Sequence, residues 1–275
     1  MNRYLSPNSQ KTRGILGLVF ELARAETLKN LRVPMFVIST LVFPAMLFIL
    51  FGLPNASQTL PSGTPVGNLL IASFSAYGLL GVSIFSFGVA IAVERGQGWL
   101  KLLRATPMPA WTYFSAKIIV VIIFNILVIL VMFAVGYFLA DIRMPALQWL
   151  RLAAVLILGA LPFSTLGFAL GYWASPNSAS PVANLIYLPL SFASGLFIPL
   201  SQLPKIVQDF AAYLPTYHYG QLVWQVAGKA DDVALLLGPP SGDTWTHISY
   251  LAATFVIFAI LAIIGFKRDE NKNYS

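Results

Sequence analysis

Residues 67–93 read GNLLIASFSAYGLLGVSIFSFGVAIAV, and 94–107 follow as ERGQGWLKLLRATP. The first run holds no Asp, Glu, Lys or Arg and is long enough to cross a bilayer, which needs about 20 apolar residues as a helix. The second is a short charged island punctuated by Gly96 and Gly98. A helix from Trp99 to Ala105 sets Trp99, Leu100, Leu102 and Leu103 on one arc and Lys101 and Arg104 on the other, and Thr106-Pro107 ends it. Such a turn and a half is long enough to dock on a soluble partner and too short to be a domain.

Working outward, five more segments have the same character: 33–53, 118–140, 152–174, 182–200 and 249–266. None carries a charge. A central Leu, Ile, Val or Phe favours insertion by roughly 0.3 to 0.6 kcal/mol while a charged residue opposes it by about 3, so each run is expected to insert unaided. Proline at 44, 162, 181, 189 and 199 marks kinks and ends. The expected fold is an all-α membrane protein of six transmembrane helices, a single domain over 1–275. With 57% hydrophobic residues, 10% charged and a mean hydropathy of +0.76, the composition is not that of a soluble domain.

The net charge of +7 is spread along the chain and forms no dense patch, which argues against a nucleic-acid partner. Its distribution sets an orientation. Thirteen of the 17 basic residues lie in the N-terminal stretch, the island and the C-terminus; only Arg143, Arg151, Lys205 and Lys229 lie on the alternate side. Both termini and the 94–117 connection are therefore expected in the cytoplasm. Residues 13–32 read as a helix lying on the membrane surface, with Arg13, Glu21, Arg24 and Arg32 on one side and Ile15, Leu18, Val19 and Leu22 on the other. Glu26 breaks the pattern by falling near the apolar face. Residues 201–248 form a long external connection whose Leu203, Ile206, Val207, Phe210, Ala211 and Leu214 recur at helical spacing, as short amphipathic helices or a re-entrant hairpin. Its tip, 228–243, with Asp231-Asp232, reads as solvated loop.

The buried polar groups are neutral, which disfavours proton or sodium coupling through an intramembrane carboxylate. No P-loop pattern occurs, so any ATP hydrolysis belongs to another chain. There is no cysteine, and only two histidines, His218 and His247, so no metal site is expected. No catalytic residue is expected either. Ser194-Gly195 is the nearest approach to an intramembrane serine hydrolase, but Phe192 stands where that pattern requires glycine. Gly167 and Gly171 form a GxxxG suited to close helix packing. Phe74, Phe85, Asn184, Tyr187 and Phe192 are candidates to line a pathway for an amphiphile.

Taken together, these elements resemble the membrane subunits of ABC type-2 exporters, the permeases of drug, lipid and polysaccharide export. The resemblance rests on the basic leader, six spans, the Glu94-Arg95-Gly96 opening followed by Leu102-Leu103-Arg104-Ala105-Thr106-Pro107, Lys117, and Ser194-Gly195-Leu196-Phe197-Ile198-Pro199 continuing to Leu214-Pro215-Thr216-Tyr217. It implies a coupling helix docking a separate ATPase through Glu94, Arg95, Trp99, Leu100, Lys101, Leu103 and Arg104. It also implies ATP and magnesium on that partner, a second permease subunit of the same or another chain, and a pathway between the two permeases. The setting it implies is the bacterial or archaeal cytoplasmic membrane. Gly96-Gln97-Gly98-Trp99 departs from the family's usual Gly-Thr-acidic sequence. A self-contained channel or ion-coupled carrier is the alternative.

Overall fold

A computed structural model describes residues 14–99, 102, 105, 108–238 and 242–271. These are helical apart from turns, short connections and one isolated bridge, Thr59 to Pro65. The leader is α1 (Ile15–Leu31). The bundle contains α2 (Pro34–Asn55), α3 (Val66–Gly96), α4 (Ala110–Phe138), α5 (Ala146–Trp173) and α6 (Ala179–Ala193). Three short helices follow, α7 (Lys205–Ala211), α8 (Pro215–Ala227) and α9 (Ala230–Leu237), before the last span, α10 (Thr244–Asn271).

Helix α3 is the hub. Most of its length is buried, with α2, α4, α5, α6 and α8 around it, and α5 is held between α3 and α10. Glycine makes the closest approach possible. A Cβ on Gly167 would stand 2.4 Å from the Ser83 carbonyl oxygen, and one on Gly171 would stand 2.9 Å from Ile91 Cβ, so both glycines of the GxxxG face α3 of the same chain. The backbone of α3 widens to a π-helical stretch over Val82–Val89 beside this contact. Helix α2 has π-helical turns at Ile38–Val42 and Phe48–Gly52; the first precedes Pro44, whose ring supplies no amide hydrogen to the preceding turn.

Five helices are long and apolar enough to cross a membrane, while Ala179–Ala193 is a shorter apolar helix. The run expected as the span over 182–200 forms α6, whose 15 residues, Ala179–Ala193, start and end earlier than expected. Ser194-Gly195 ends it, Gly195 at φ +83, and Pro199 prevents its resumption as α-helix. The space beyond is taken by α8, which packs against α3, α5 and α10 with Tyr217, Tyr219 and Trp224 buried. Trp224 Nε1 donates to Ser73 Oγ at 2.8 Å and Tyr219 Oη donates to the Leu156 carbonyl at 2.8 Å.

The other ends shift as well. Helix α4 starts at Ala110, so Lys117 lies two turns inside it, not at the end of a 94–117 loop. Residues 230–237 of the expected solvated tip are helix α9, whose first turn carries Asp231 and Asp232 where the helix dipole favours acids. Asp232 is buried, and its carboxylate accepts from the amides of Ser62 at 2.9 Å and Thr64 at 2.8 Å, tying α9 to the connection between α2 and α3.

Candidate functional site

Two charges that break sequence rules meet at the basic end of the bundle. Lys117, inside an otherwise apolar helix, lies 2.8 Å from Glu26 Oε1, the acid on the apolar side of the leader. It also lies 2.7 Å from Glu94 Oε1 at the end of α3. Lys29 adds contacts of 2.8 Å to Glu26 and 3.2 Å to Glu94, and Tyr113 Oη donates to Glu94 Oε2. Two carboxylates and two ammoniums balance, so leader, α3 and α4 are locked at no net charge. Ala23 and Val19 press α1 onto the bundle one and two turns before Glu26. Burial pushes the Glu26 carboxyl up, and the charge and hydrogen bonds of Lys117 and Lys29 overcome it, holding it below its ordinary value. Burial likewise draws Lys29 down, and its bonds to Glu26 and Glu94 more than restore it.

Arg95 turns the other way. Its Nη2 and Nε donate to Asp269 Oδ1 at 2.6 and 3.1 Å, and Nη1 donates to the Gly171 carbonyl at 2.6 Å. A guanidinium at the C-terminal carbonyls of α5 is well placed against that helix's dipole. Of the residues named for ATPase docking, Glu94 and Arg95 thus face inward. Trp99 and Leu102 are exposed, and the Leu102 amide donates to Gly98 O at 3.2 Å, a helical turn. Leu100, Lys101, Leu103 and Arg104 lie outside the described residues.

Above the ion cluster a cleft of about 1050 Å³ opens among α1, α2, α3 and α6. Glu26, Lys29, Glu94 and Gln97 stand at one end, Tyr77 and Tyr187 at the other, with Phe43, Val82, Phe85 and Val89 between. Tyr187 Oη donates to the Tyr77 carbonyl at 3.0 Å, and a Cβ on Gly81 would stand 3.1 Å from that hydroxyl oxygen. Ser86 Oγ, in the π-helical stretch, is buried on the cleft wall with no hydrogen-bond partner among the described residues.

Phe85, Asn184 and Tyr187 line this cleft. Phe74 and Phe192 stand beyond its inner end, in an aromatic ladder. Phe85 meets Tyr187 at 5.6 Å between centroids, Tyr187 meets Tyr77 at 4.7 Å, and Tyr77 meets Phe197 at 5.3 Å. Phe197 then contacts Phe74 at 5.5 Å and Phe192 at 4.6 Å. Sequence reading missed Tyr77, whose position on the α3 face shared with Phe74 and Phe85 was its only signal. Phe87, two residues beyond Phe85, faces away and packs on Phe168 at 4.1 Å.

Ser194 is fully buried and its hydroxyl donates to the Ser191 carbonyl at 3.3 Å. His218 is engaged elsewhere, with His247 and the Ala212 carbonyl. No three His, Cys, Asp or Glu side chains gather as a metal site among the described residues.

Two comparisons with known proteins agree. The family model described as "ABC-2 type transporter" matches residues 17–226. The chain is also 29% identical over 239 residues to "Putative transport permease YvfS" of Bacillus subtilis (strain 168), a match covering 86% of this chain and 92% of that protein.

Proposed function

The chain belongs to the ABC-2 type transporter family, and from that premise we propose that this multi-pass membrane permease is the transmembrane half of an ATP-driven exporter. ATP and magnesium reside on a separate ATPase subunit, and two permeases, identical or not, enclose the substrate pathway. The observation that carries this reading is the cluster Glu26–Lys117–Glu94–Lys29. It makes one rigid unit of the leader, the end of α3 and the start of α4, directly beside the exposed Trp99 and Leu102. A push on the island is thereby delivered to α3, the helix that walls the cleft. Orientation follows the basic residues: both termini and the island face the cytoplasm of a bacterial or archaeal cell.

The substrate this cleft suits is an amphiphilic small molecule or lipid. Its walls are apolar and aromatic, its charges are balanced and confined to one end, and Ser86 offers a lone hydroxyl at depth.

Purification under gentle conditions tests the assignment, with a stoichiometric ATPase subunit expected. Deleting 99–104, or making Glu94→Lys, is expected to leave insertion intact and abolish substrate-stimulated ATP hydrolysis. Transport by this chain alone in liposomes, without nucleotide, would instead establish a self-contained carrier.

A further inference from the structure

At the basic end of the bundle, away from the cleft, a second cavity of about 350 Å³ lies between the ends of α5 and α10. Arg95, Trp173, Ser175, Gly265, Arg268 and Asp269 are among its walls, the carboxylate of Asp269 being held by Arg95 at 2.6 Å. It is built with some precision. Trp173 Nε1 donates to the Leu261 carbonyl at 2.9 Å, fixing the indole across the two helices, and Arg268 lies over that ring at 5.5 Å. A Cβ on Gly265 would stand 2.8 Å from Trp173 Nε1, so the glycine lets α10 close on the indole.

The two guanidiniums differ. Arg95 is committed to Asp269 and the Gly171 carbonyl. Arg268 is exposed and has no carboxylate within ion-pair distance among the described residues. It also ends a lipid-compatible stripe: Ile257, Ile260 and Ile264 precede it at helical spacing on α10, each about half exposed. A cation with no carboxylate partner among the described side chains, at the foot of an apolar stripe and beside a half-exposed tryptophan, matches the arrangement of a phospholipid: acyl chain, interface, phosphate.

We propose that this pocket holds the phosphate of an anionic phospholipid on Arg268, with Arg95 behind it, Trp173 at the glycerol level and an acyl chain along Ile257, Ile260 and Ile264. Charge complementarity and the continuous stripe select a lipid over a soluble anion, because a soluble anion has no use for the isoleucines. The site is separate from the cleft and does not depend on what the cleft carries.

The test uses the full chain in nanodiscs of phosphatidylcholine, with and without phosphatidylglycerol. Phosphatidylglycerol is expected to raise the melting temperature, and native mass spectrometry is expected to find it retained. Arg268→Gln should weaken that retention by at least about tenfold, the effect of about 1.4 kcal/mol, with Arg268→Lys intermediate and Arg24→Gln on the exposed leader unchanged. Because Arg268 is exposed, these variants are expected to fold; equal melting temperatures in phosphatidylcholine alone will verify it. Equal retention by Arg268→Gln overturns the proposal. So does protection by inorganic phosphate matching that by phosphatidylglycerol, which would make this a general anion site. Loss of a bound ATPase subunit with lipid retention unchanged would make it a protein contact, with the same consequence.

Discussion

The ammonium of Lys117 stands 2.7 Å from the Glu94 carboxylate, at a side-chain exposure of 4%, two turns inside a helix with no other charge. Removing one member of a buried pair leaves its partner uncompensated and costs about 3–5 kcal/mol. Lys117→Met strands both Glu26 and Glu94 on the half-exposed Lys29, whereas Glu94→Gln leaves Lys117 on Glu26. Lys117→Met is therefore expected to be the more destabilising, read as thermal unfolding of the purified protein. Equal melting of the two variants would remove the cluster from any role in holding α1, α3 and α4 together.

Phe85 and Phe87 lie two residues apart and do different things. Phe87 is fully buried against Phe168, so Phe87→Ala is expected to cost about 3–5 kcal/mol of stability and leave the order of preferred substrates unchanged. Phe85 lines the cleft, and Phe85→Ala enlarges it at smaller cost. A panel of exported compounds is expected to be reordered by Phe85→Ala alone; reordering by Phe87→Ala as well would place the pathway elsewhere.

The spans were legible because bilayer length and the absence of charge are properties of a run, not of single residues. The fifth was overrun, since 182–200 is apolar throughout while the turn at Ser194-Gly195 depends on one positive φ and on α8 filling the space beyond it. The island was legible as an interruption, but which of its residues face inward was not. Glu94 and Arg95 find their partners 23 and 174 positions away, at Lys117 and Asp269. Glu26 looked like an exception to the leader's pattern, and Lys117 like the end of a loop. They pair with each other at 2.8 Å, a relation no local period records.

Gly167 and Gly98 offer a controlled comparison. A methyl at Gly167 meets a backbone oxygen of α3 at 2.4 Å, and neither helix can yield without parting from the other, so Gly167→Ala is expected to cost about 1–3 kcal/mol and lower the folded yield. Gly98 has φ +76, and a Cβ there would meet nothing within 4 Å. Gly98→Ala should incur only the left-handed backbone strain of about 1–2 kcal/mol. Its effect is expected in ATPase coupling, since Gly98 precedes the island's helical turn, and coupling identical to the native protein would show that this turn's entry geometry is unimportant.

His218 sets a pH dependence at the far end. Its Nε2 lies 2.9 Å from the Ala212 carbonyl, which only accepts, so Nε2 carries a hydrogen; in the neutral ring Nδ1 is then bare and receives the Nδ1 hydrogen of His247 at 2.8 Å. Protonating His218 puts a hydrogen on its Nδ1, which His247 can accept only by moving its own hydrogen to Nε2, a buried atom with no partner among the described residues. Burial, reinforced by His247 and only partly offset by the Ala212 bond, brings its pKa from 6.5 to about 4. With the folded pKa below the unfolded one, the unfolded chain binds a proton that the folded chain refuses, so stability falls as pH drops through about 6.5 toward about 4. Asp232 and Glu26 do not confuse the measurement, because both are held below their ordinary values and stay ionised above about pH 5. The melting temperature of the native protein is expected to fall between about pH 7 and about pH 5, and His218→Gln to reduce that slope, the remainder belonging to its ring partner His247. An unchanged slope in His218→Gln would assign the dependence to another group.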